Sequence, residues 1–354
     1  MLRVLLSALL LVTLAWAGEP KLEPLVGTPP YPADNPPTPE KVRLGKELFF
    51  DVILSAGGRR SCSTCHKPEL YFTDGFSRAW GLHDMELRRK TPMIFNVGWQ
   101  RELFFDARSE SLETQAAEPI ANPLEMNSDP EEAAARVAAD PYYQRLFDEA
   151  FPGEPITFPV LAKALASYER TIISANSDLD RYLLGDETAL SPEAKRGMEL
   201  FTGRARCIRC HNGPLLTDYQ RHYTGVVEEV GDNQAGTPYK TQSLRDVMRR
   251  YSYMHNGSLL TIDDVFDHYE RGGSAPAGAE AEIQPVAFSP ADRGDLTAFL
   301  EALNGDVDAL IDASPRATDR FSNRRRKRVT ADEDETGSKT GPVTDPSYRL
   351  DKRR

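Results

Sequence analysis

Apolar residues along this chain recur mainly at helical spacing. Val42, Leu44, Leu48 and Phe49 share one side of a run that Pro39 and Glu40 open as a first turn, which predicts a helix there. A second proline-initiated run, from Pro192 through Gly197 and Met198 to Phe201, repeats the order of residue types seen from Pro39 to Phe49. Between the two, Leu161, Leu165, Tyr168, Ile172 and Ile173 place a core helix within residues 158–176. Ser289-Pro290 opens a last helix through Leu296, Phe299, Leu300 and Leu303, which Asn304-Gly305 ends. Residues 18–38, rich in proline, read as an extended surface segment, and residues 218–239, rich in glycine and polar side chains, as loop. The expected fold class is mainly α.

The two ends depart from this pattern. Residues 1–17 carry Arg3, an apolar run from Val4 to Leu14 and then Ala15-Trp16-Ala17, the pattern of a cleaved secretory signal peptide. That run falls short of the roughly 20 apolar residues that span a bilayer, so no stable membrane insertion is expected. Residues 312–354 join a basic run, Arg324 to Arg328, to an acidic one, Asp332 to Glu335, with almost no apolar residues, and read as a disordered charged tail. The formal net charge of −11 argues against a nucleic-acid partner. It suits a cationic protein partner or simple solubility.

Candidate chemistry concentrates in two pentapeptides. Cys62-Ser63-Thr64-Cys65-His66 and Cys207-Ile208-Arg209-Cys210-His211 both read C-x-x-C-H and together use all four cysteines. Two thiols three positions apart can each form a thioether to one porphyrin edge, and the adjacent imidazole then binds the iron. A structural zinc site would want the two pairs closer in sequence. A thioredoxin-like pair does not call for His after the second Cys, and a disulfide framework would not repeat His at the same offset. Two covalent c-type haems use every residue of both motifs, and their attachment outside the cytoplasm accords with export to a periplasm. Helix, loop and C-x-x-C-H in the same order twice read as an internal duplication of two cytochrome-c-like domains. The N-terminal one, with its linking helix, is expected over residues 39–185 and the C-terminal one over residues 186–311.

Further stretches carry a resemblance. Thr91-Pro92-Met93-Ile94-Phe95-Asn96, the run from Leu103 to Ala116, Asn122-Pro123-Leu124-Glu125-Met126, the run from Leu165 to Thr171, and Tyr253-Met254-His255-Asn256-Gly257-Ser258 resemble the bacterial dihaem cytochrome c peroxidase and MauG superfamily. They occur in the family's order between Pro39 and Gly305. The resemblance implies that the haem held by Cys62, Cys65 and His66 is the high-spin site where hydrogen peroxide reacts. The haem held by Cys207, Cys210 and His211 would be the electron-transfer centre. Glu113 falls where the family has its distal acid, a group that takes a proton from one peroxide oxygen and returns it to the other. Leu103 stands in place of the family's Gln and Ala107 in place of its Gly or Pro, so the resemblance does not carry over a hydrogen-bonding distal partner at these positions.

Four further positions follow from the same resemblance. His83 lies in the loop where the peroxidases carry a histidine that closes the resting N-terminal haem, a histidine many relatives lack. Phe95 stands near where the family often has an inter-haem Trp, and Trp80 and Trp99 are the remaining aromatic relay candidates. At Tyr269, in His268-Tyr269-Glu270-Arg271-Gly272-Gly273, the peroxidases place an axial Met, whereas the MauG branch places Tyr. Met254 and His268 are its competitors for the second iron. A calcium ion between the haems, with ligands near Arg250 and Ser252, is a further family feature.

The branch nearest to this pattern is MauG. It implies a periplasmic dihaem oxidoreductase in which hydrogen peroxide generates a high-valent dihaem state that oxidises a partner protein. One alternative is peroxide reduction with electrons from a small cytochrome c or copper protein. Another is a non-catalytic electron-transfer module, which would close both irons with two strong ligands. Tyr269 and Glu113 favour the first reading.

Overall fold

The computed structural model describes residues 19–226, 237–273 and 282–315. The signal-peptide segment, residues 1–17, and the charged tail beyond residue 315 lie outside the described residues. The helices are α1 (Pro39–Phe50), α2 (Cys62–Cys65), α3 (Leu112–Gln115), α4 (Ala117–Ala121), α5 (Pro130–Ala138), α6 (Pro141–Ala150), α7 (Phe158–Glu169), α8 (Asp178–Leu183), α9 (Pro192–Thr202), α10 (Ile262–Glu270), α11 (Pro290–Glu301) and α12 (Asp308–Asp312). Among the described residues the one sheet is the antiparallel pair Arg221–His222 and Tyr239–Lys240. Local chemistry sets the helix starts. The side chains of Thr38, Asp129, Asp140, Ser191 and Ser289 accept backbone N–H groups of the first turn, and proline follows each in the first helical turn, where its missing N–H costs nothing.

The described chain divides into two compact units. One comprises residues 31–98, 112–172 and 308–315; the other comprises residues 19–30, 99–111 and the described part of 173–307. In the first, α1 lies along α7. The crossing is tight at Gly45, where a Cβ would come 1.9 Å from the Ala164 carbonyl oxygen, so a larger residue does not fit. Leu44, Leu48 and Phe49 from α1 and Leu161, Leu165 and Tyr168 from α7 are buried. Each such Leu or Phe contributes about 1.5–3 kcal/mol. Tyr143 of α6, fully buried, donates to Asp51 Oδ2 at 2.9 Å.

In the second unit α9 lies along α11, and Gly197 repeats the device with a Cβ position 2.0 Å from the Asp295 carbonyl oxygen. Phe201, Leu296, Phe299 and Leu303 pack there with Leu179 and Phe266. Asp180 and Arg245, both almost without exposed surface, pair through two hydrogen bonds of 2.8 Å, and Asp180 Oδ1 also accepts Leu25 N–H.

These contacts redraw three expectations. The sequence places α8 in a first domain ending at 185, but Leu179 and Asp180 belong to the core of the second unit, so the division falls between residues 172 and 173. Residues 99–111 also join that unit, where the Phe105 carbonyl accepts Lys240 N–H at 2.9 Å. The segment read as an extended surface strap is anchored instead. Gly213 N–H donates to Lys21 O, Leu25 is buried and Asn35 has no exposed surface. The expected tail begins later than 312, since Ala313 O accepts Lys46 Nζ and Ser314 N–H donates to Ile311 O. All three are settled by polar and main-chain pairings between distant segments, which apolar periodicity does not report.

Candidate haem sites

In the first unit the tight α1–α7 pair leads through a short loop to α2, whose residues are Cys62 to Cys65. Thr64 Oγ1 accepts Ser61 N–H at 2.9 Å and fixes the entry of that turn. His66 follows directly, and its Nδ1 lies 3.0 Å from the Phe72 carbonyl oxygen. A carbonyl only accepts, so Nδ1 carries the proton and Nε2 keeps its lone pair. Burial holds the His66 imidazole below its ordinary pKa, which keeps it neutral.

The second motif is built the same way. Cys207–Arg209 form a single 3₁₀ turn, and His211 Nδ1 lies 3.0 Å from the Leu216 carbonyl oxygen. Burial pushes His211 down to about 4. The thiols of Cys62, Cys65, Cys207 and Cys210 form no disulfide. Burial raises all four, Cys207 to about 12 and Cys65 and Cys210 to about 11. Each site therefore offers two unpaired thiols and one oriented, neutral imidazole nitrogen, the donor set that a c-type haem requires.

Glu113 sits in the first turn of α3 and is drawn into a polar cluster. Arg170, the C-cap residue of α7, forks onto it, with Nη1 2.8 Å from Oε1 and Nη2 3.1 Å from Oε2. Asn35 Nδ2 adds a third donor to Oε1 at 3.1 Å. The neighbouring Glu169 carboxyl is pushed up to about 8 by burial, against the opposing charge of Arg170 and with a further push from Glu113. The sequence reading did not single out Arg170 or Asn35. Arg170 could have been noticed inside the Leu165–Thr171 run, whereas nothing in the proline-rich stretch marks Asn35.

In the second unit Tyr269 lies near the end of α10, beside a buried His268. Burial raises the Tyr269 phenol well above its ordinary value, and Cys207 and Cys210 add to the shift. His268 Nε2 is 2.8 Å from the Thr224 carbonyl oxygen and is thereby occupied. His255 is stacked against Tyr239 with ring centroids 3.8 Å apart. His222 bridges Asp218 at 2.8 Å and Glu282 at 2.6 Å. Ligand atoms of Cys210, Asp218 and His222 come within 4.8 Å of one another, but Cys210 belongs to the haem motif, which removes a metal role for that trio.

The remaining candidates separate. His83 is exposed on a turn with left-handed backbone, φ 58°. Phe95 is buried edge-on against Phe72 at 5.5 Å and packs the core, while Trp80 is exposed. Near the expected calcium position the Arg250 guanidinium donates to Ser243 O at 2.8 Å, and a cation there works against a second one.

This helical fold, with two attachment motifs whose imidazoles are oriented alike, defines a dihaem c-type oxidoreductase. The chain belongs to the family of dihaem cytochrome c peroxidases and MauG proteins. Residues 39–188 match the family described as di-haem cytochrome c peroxidase. The chain is 41% identical over 292 residues to the methylamine utilization protein MauG of Methylorubrum extorquens, which covers 79% of this chain and 83% of that one. It is 33% identical over 336 residues to the cytochrome-c peroxidase IdrP1 of Pseudomonas sp. strain SCT, with 83% and 88% covered. Among solved structures it is similar to a MauG-like protein associated with microbial copper homeostasis, at 32% identity and a TM-score of 0.73 over 84% of this chain and 97% of that one. The chain is thus a peroxidase-type oxidoreductase with two covalently bound c-type haems.

Proposed function

We propose that this protein is a periplasmic MauG-like enzyme that uses hydrogen peroxide to oxidise a partner protein. The observation that carries this reading is Tyr269. Its ring stands edge-on to His268, with centroids 5.8 Å apart, and Cys207 and Cys210 add to the burial that raises its phenol above the ordinary value. The competing His268 is tied to Thr224 O. Burial keeps the phenol neutral until a cation lies against it, and a phenolate so formed stabilises the oxidised metal.

When bound, the two haems would supply the redox chemistry between hydrogen peroxide and the partner protein. The chain's own residues do the rest. Cys62 and Cys65, and Cys207 and Cys210, give the thioethers. His66 and His211 present Nε2 because their Nδ1–H groups are committed to Phe72 O and Leu216 O. Glu113 takes a proton from one peroxide oxygen and returns it to the departing one, ending unchanged. The equal crossings at Gly45 and Gly197, each ahead of an attachment motif, support the internal duplication of two haem domains. The signal pattern of residues 1–17 supports a periplasmic address, and among the described residues no helix is long and apolar enough to cross a membrane.

The test is to add hydrogen peroxide to purified holoprotein, with and without a reduced small cytochrome c, following absorbance and peroxide loss. A long-lived oxidised species with slow cytochrome turnover is expected. Tyr269→Met should raise the potential of the second haem and shorten the life of that species. Rapid cytochrome-dependent turnover in the unmodified protein, with neither property changed by Tyr269→Met, would replace this reading with an ordinary cytochrome c peroxidase.

A further inference from the structure

We propose that Arg170 and Asn35 are positioning residues for peroxide cleavage: they hold the Glu113 carboxyl group in one orientation, fix Oε1, and leave Oε2 to take and return the proton. The inference rests on the assignment of Glu113 as the distal acid. The fork from Arg170 sets the plane of the carboxylate, since both guanidinium N–H donors are met, at 2.8 and 3.1 Å. The guanidinium is only 6% exposed, and the Tyr31 ring lies against it with its centroid 5.4 Å from Cζ.

Asn35 is placed as firmly. Its Nδ2 donates to Glu113 Oε1 at 3.1 Å and to Lys163 O at 3.0 Å, and its Oδ1 accepts Lys41 Nζ at 3.4 Å. With no exposed surface and both Nδ2 hydrogens used, this side chain cannot turn without leaving a buried polar group unpaired. Oε1 therefore receives two donors and Oε2 one. Oε2 is the oxygen with lone-pair capacity left for a proton.

The charged and titratable groups around the carboxylate are Arg170 and Glu169 from α7, Lys41 of α1 behind Asn35, and Tyr31 from the segment before α1. Arg170 is the cation in direct contact. Its fork holds the carboxyl group in one plane, so that the same oxygen, Oε2, takes the proton and gives it back. One proton enters and one leaves, and nothing else is consumed. Substituting Lys would keep the charge but lose the fork, a difference that a role in charge alone would not reveal.

The test compares Glu113→Gln, Arg170→Gln, Arg170→Lys and Asn35→Asp in the protein carrying both haems, with the rate of reaction with peroxide measured across pH. Arg170→Gln is expected to slow the reaction at neutral pH by roughly 10-fold or more and to change the shape of the pH profile. Arg170→Lys, which keeps the charge without the fork, should recover little of the rate. Asn35→Asp sets a second carboxylate against Oε1 and should slow the reaction as Arg170→Gln does. Infrared spectra should show a displaced carboxyl band in Arg170→Gln that vanishes when Glu113→Gln is added. A slow Glu113→Gln beside wild-type rates and profiles in Arg170→Gln and Asn35→Asp would overturn this inference and leave the Glu113 assignment standing. A wild-type rate in Glu113→Gln would end both. Should Arg170→Gln not retain its haems, Asn35→Asp decides.

Discussion

The two stretches that follow residues 96 and 246 trace the same backbone path and end in different chemistry. In one, Leu103 bridges Ser109, with left-handed backbone at Asn96, Phe104 and Ala107; in the other, Tyr253 bridges Leu259, with left-handed backbone at Asp246, Met254 and Gly257. Each leads into a helix whose second residue is acidic, Glu113 in α3 and Asp263 in α10. Glu113 is 17% exposed and forked by Arg170, whereas Asp263 is 72% exposed. The crossing glycines extend the match. Gly45 lies on Ala164 and Gly197 on Asp295, and six residues beyond those contacts stand Arg170 in the first case and Glu301 in the second. One backbone frame presents a haem-binding histidine twice, while among the described residues a buried guanidinium forks onto the acid in the first case and a more exposed, shared one reaches it in the second. Attachment therefore depends on the frame, and proton handling on a few side chains added to it.

The strongest way to break this comparison is at the crossings. Gly45→Val and Gly197→Val would each drive a side chain into a backbone carbonyl at about 2 Å, which no rotamer relieves. Each is expected to cost upwards of about 5 kcal/mol, enough to unfold a marginal domain. If the crossings serve the same purpose, Gly45→Val loses the haem of the Cys62 motif and Gly197→Val that of the Cys207 motif. Mass spectrometry of the variants, read as one haem addition instead of two, checks this. Two haems retained in both variants would show that the frames are alike in shape but not in use.

Much of this was legible in the sequence, for definite reasons. Covalent attachment is encoded in five adjacent residues, so both motifs could be read directly. Helix starts were legible because Pro39, Pro192 and Pro290 each follow a hydroxyl side chain that caps the turn. Glu113 and Tyr269 were reached through resemblance rather than periodicity, and burial then set the state of the phenol. The partners of Glu113 were not legible. Arg170 and Asn35 stand 57 and 78 residues away from it, and polar pairing over such spans leaves no period in the chain. The division between residues 172 and 173 was hidden likewise, because it depends on Asp180 meeting Arg245 65 residues later.

A second comparison concerns two buried carboxylate–arginine pairs. Asp180–Arg245 is 2% and 1% exposed and holds together the segment of Leu25, α8 and the loop before residue 247. Burial alone would raise the Asp180 carboxyl, but its hydrogen bonds to Arg245, with the added charge of that residue, hold it below the ordinary value. Asp180→Asn is expected to destabilise the protein by about 3 kcal/mol, because Arg245 is left as an uncompensated buried cation. The folded value is depressed, so the stabilisation is fully present above the unfolded value near 4 and is lost as pH falls through the folded one. Thermal melts from pH 7 to pH 3 should therefore show the gap between wild type and variant closing only in the most acid samples. A gap that stays constant with pH would mean that packing, not charge, gives this pair its value.

The smallest expected effect is the one that separates the two acids most sharply. Asp263 reaches Arg293 at 3.2 Å, in a pair that Arg293 shares with Asp267 and Glu270. An exposed, shared ion pair of this kind contributes about 0.2–1 kcal/mol, so Asp263→Asn should scarcely move the melting temperature. Its position in the helix is the same as that of Glu113, but no buried guanidinium orients it and solvent reaches it freely. Asp263→Asn should accordingly leave the rate of reaction with hydrogen peroxide unchanged, where Glu113→Gln slows it by about 100-fold. Measured side by side in stopped flow, equal losses in the two variants would show that proton transfer draws on both halves of the frame, and the functional asymmetry argued from Arg170 and Glu301 would fall.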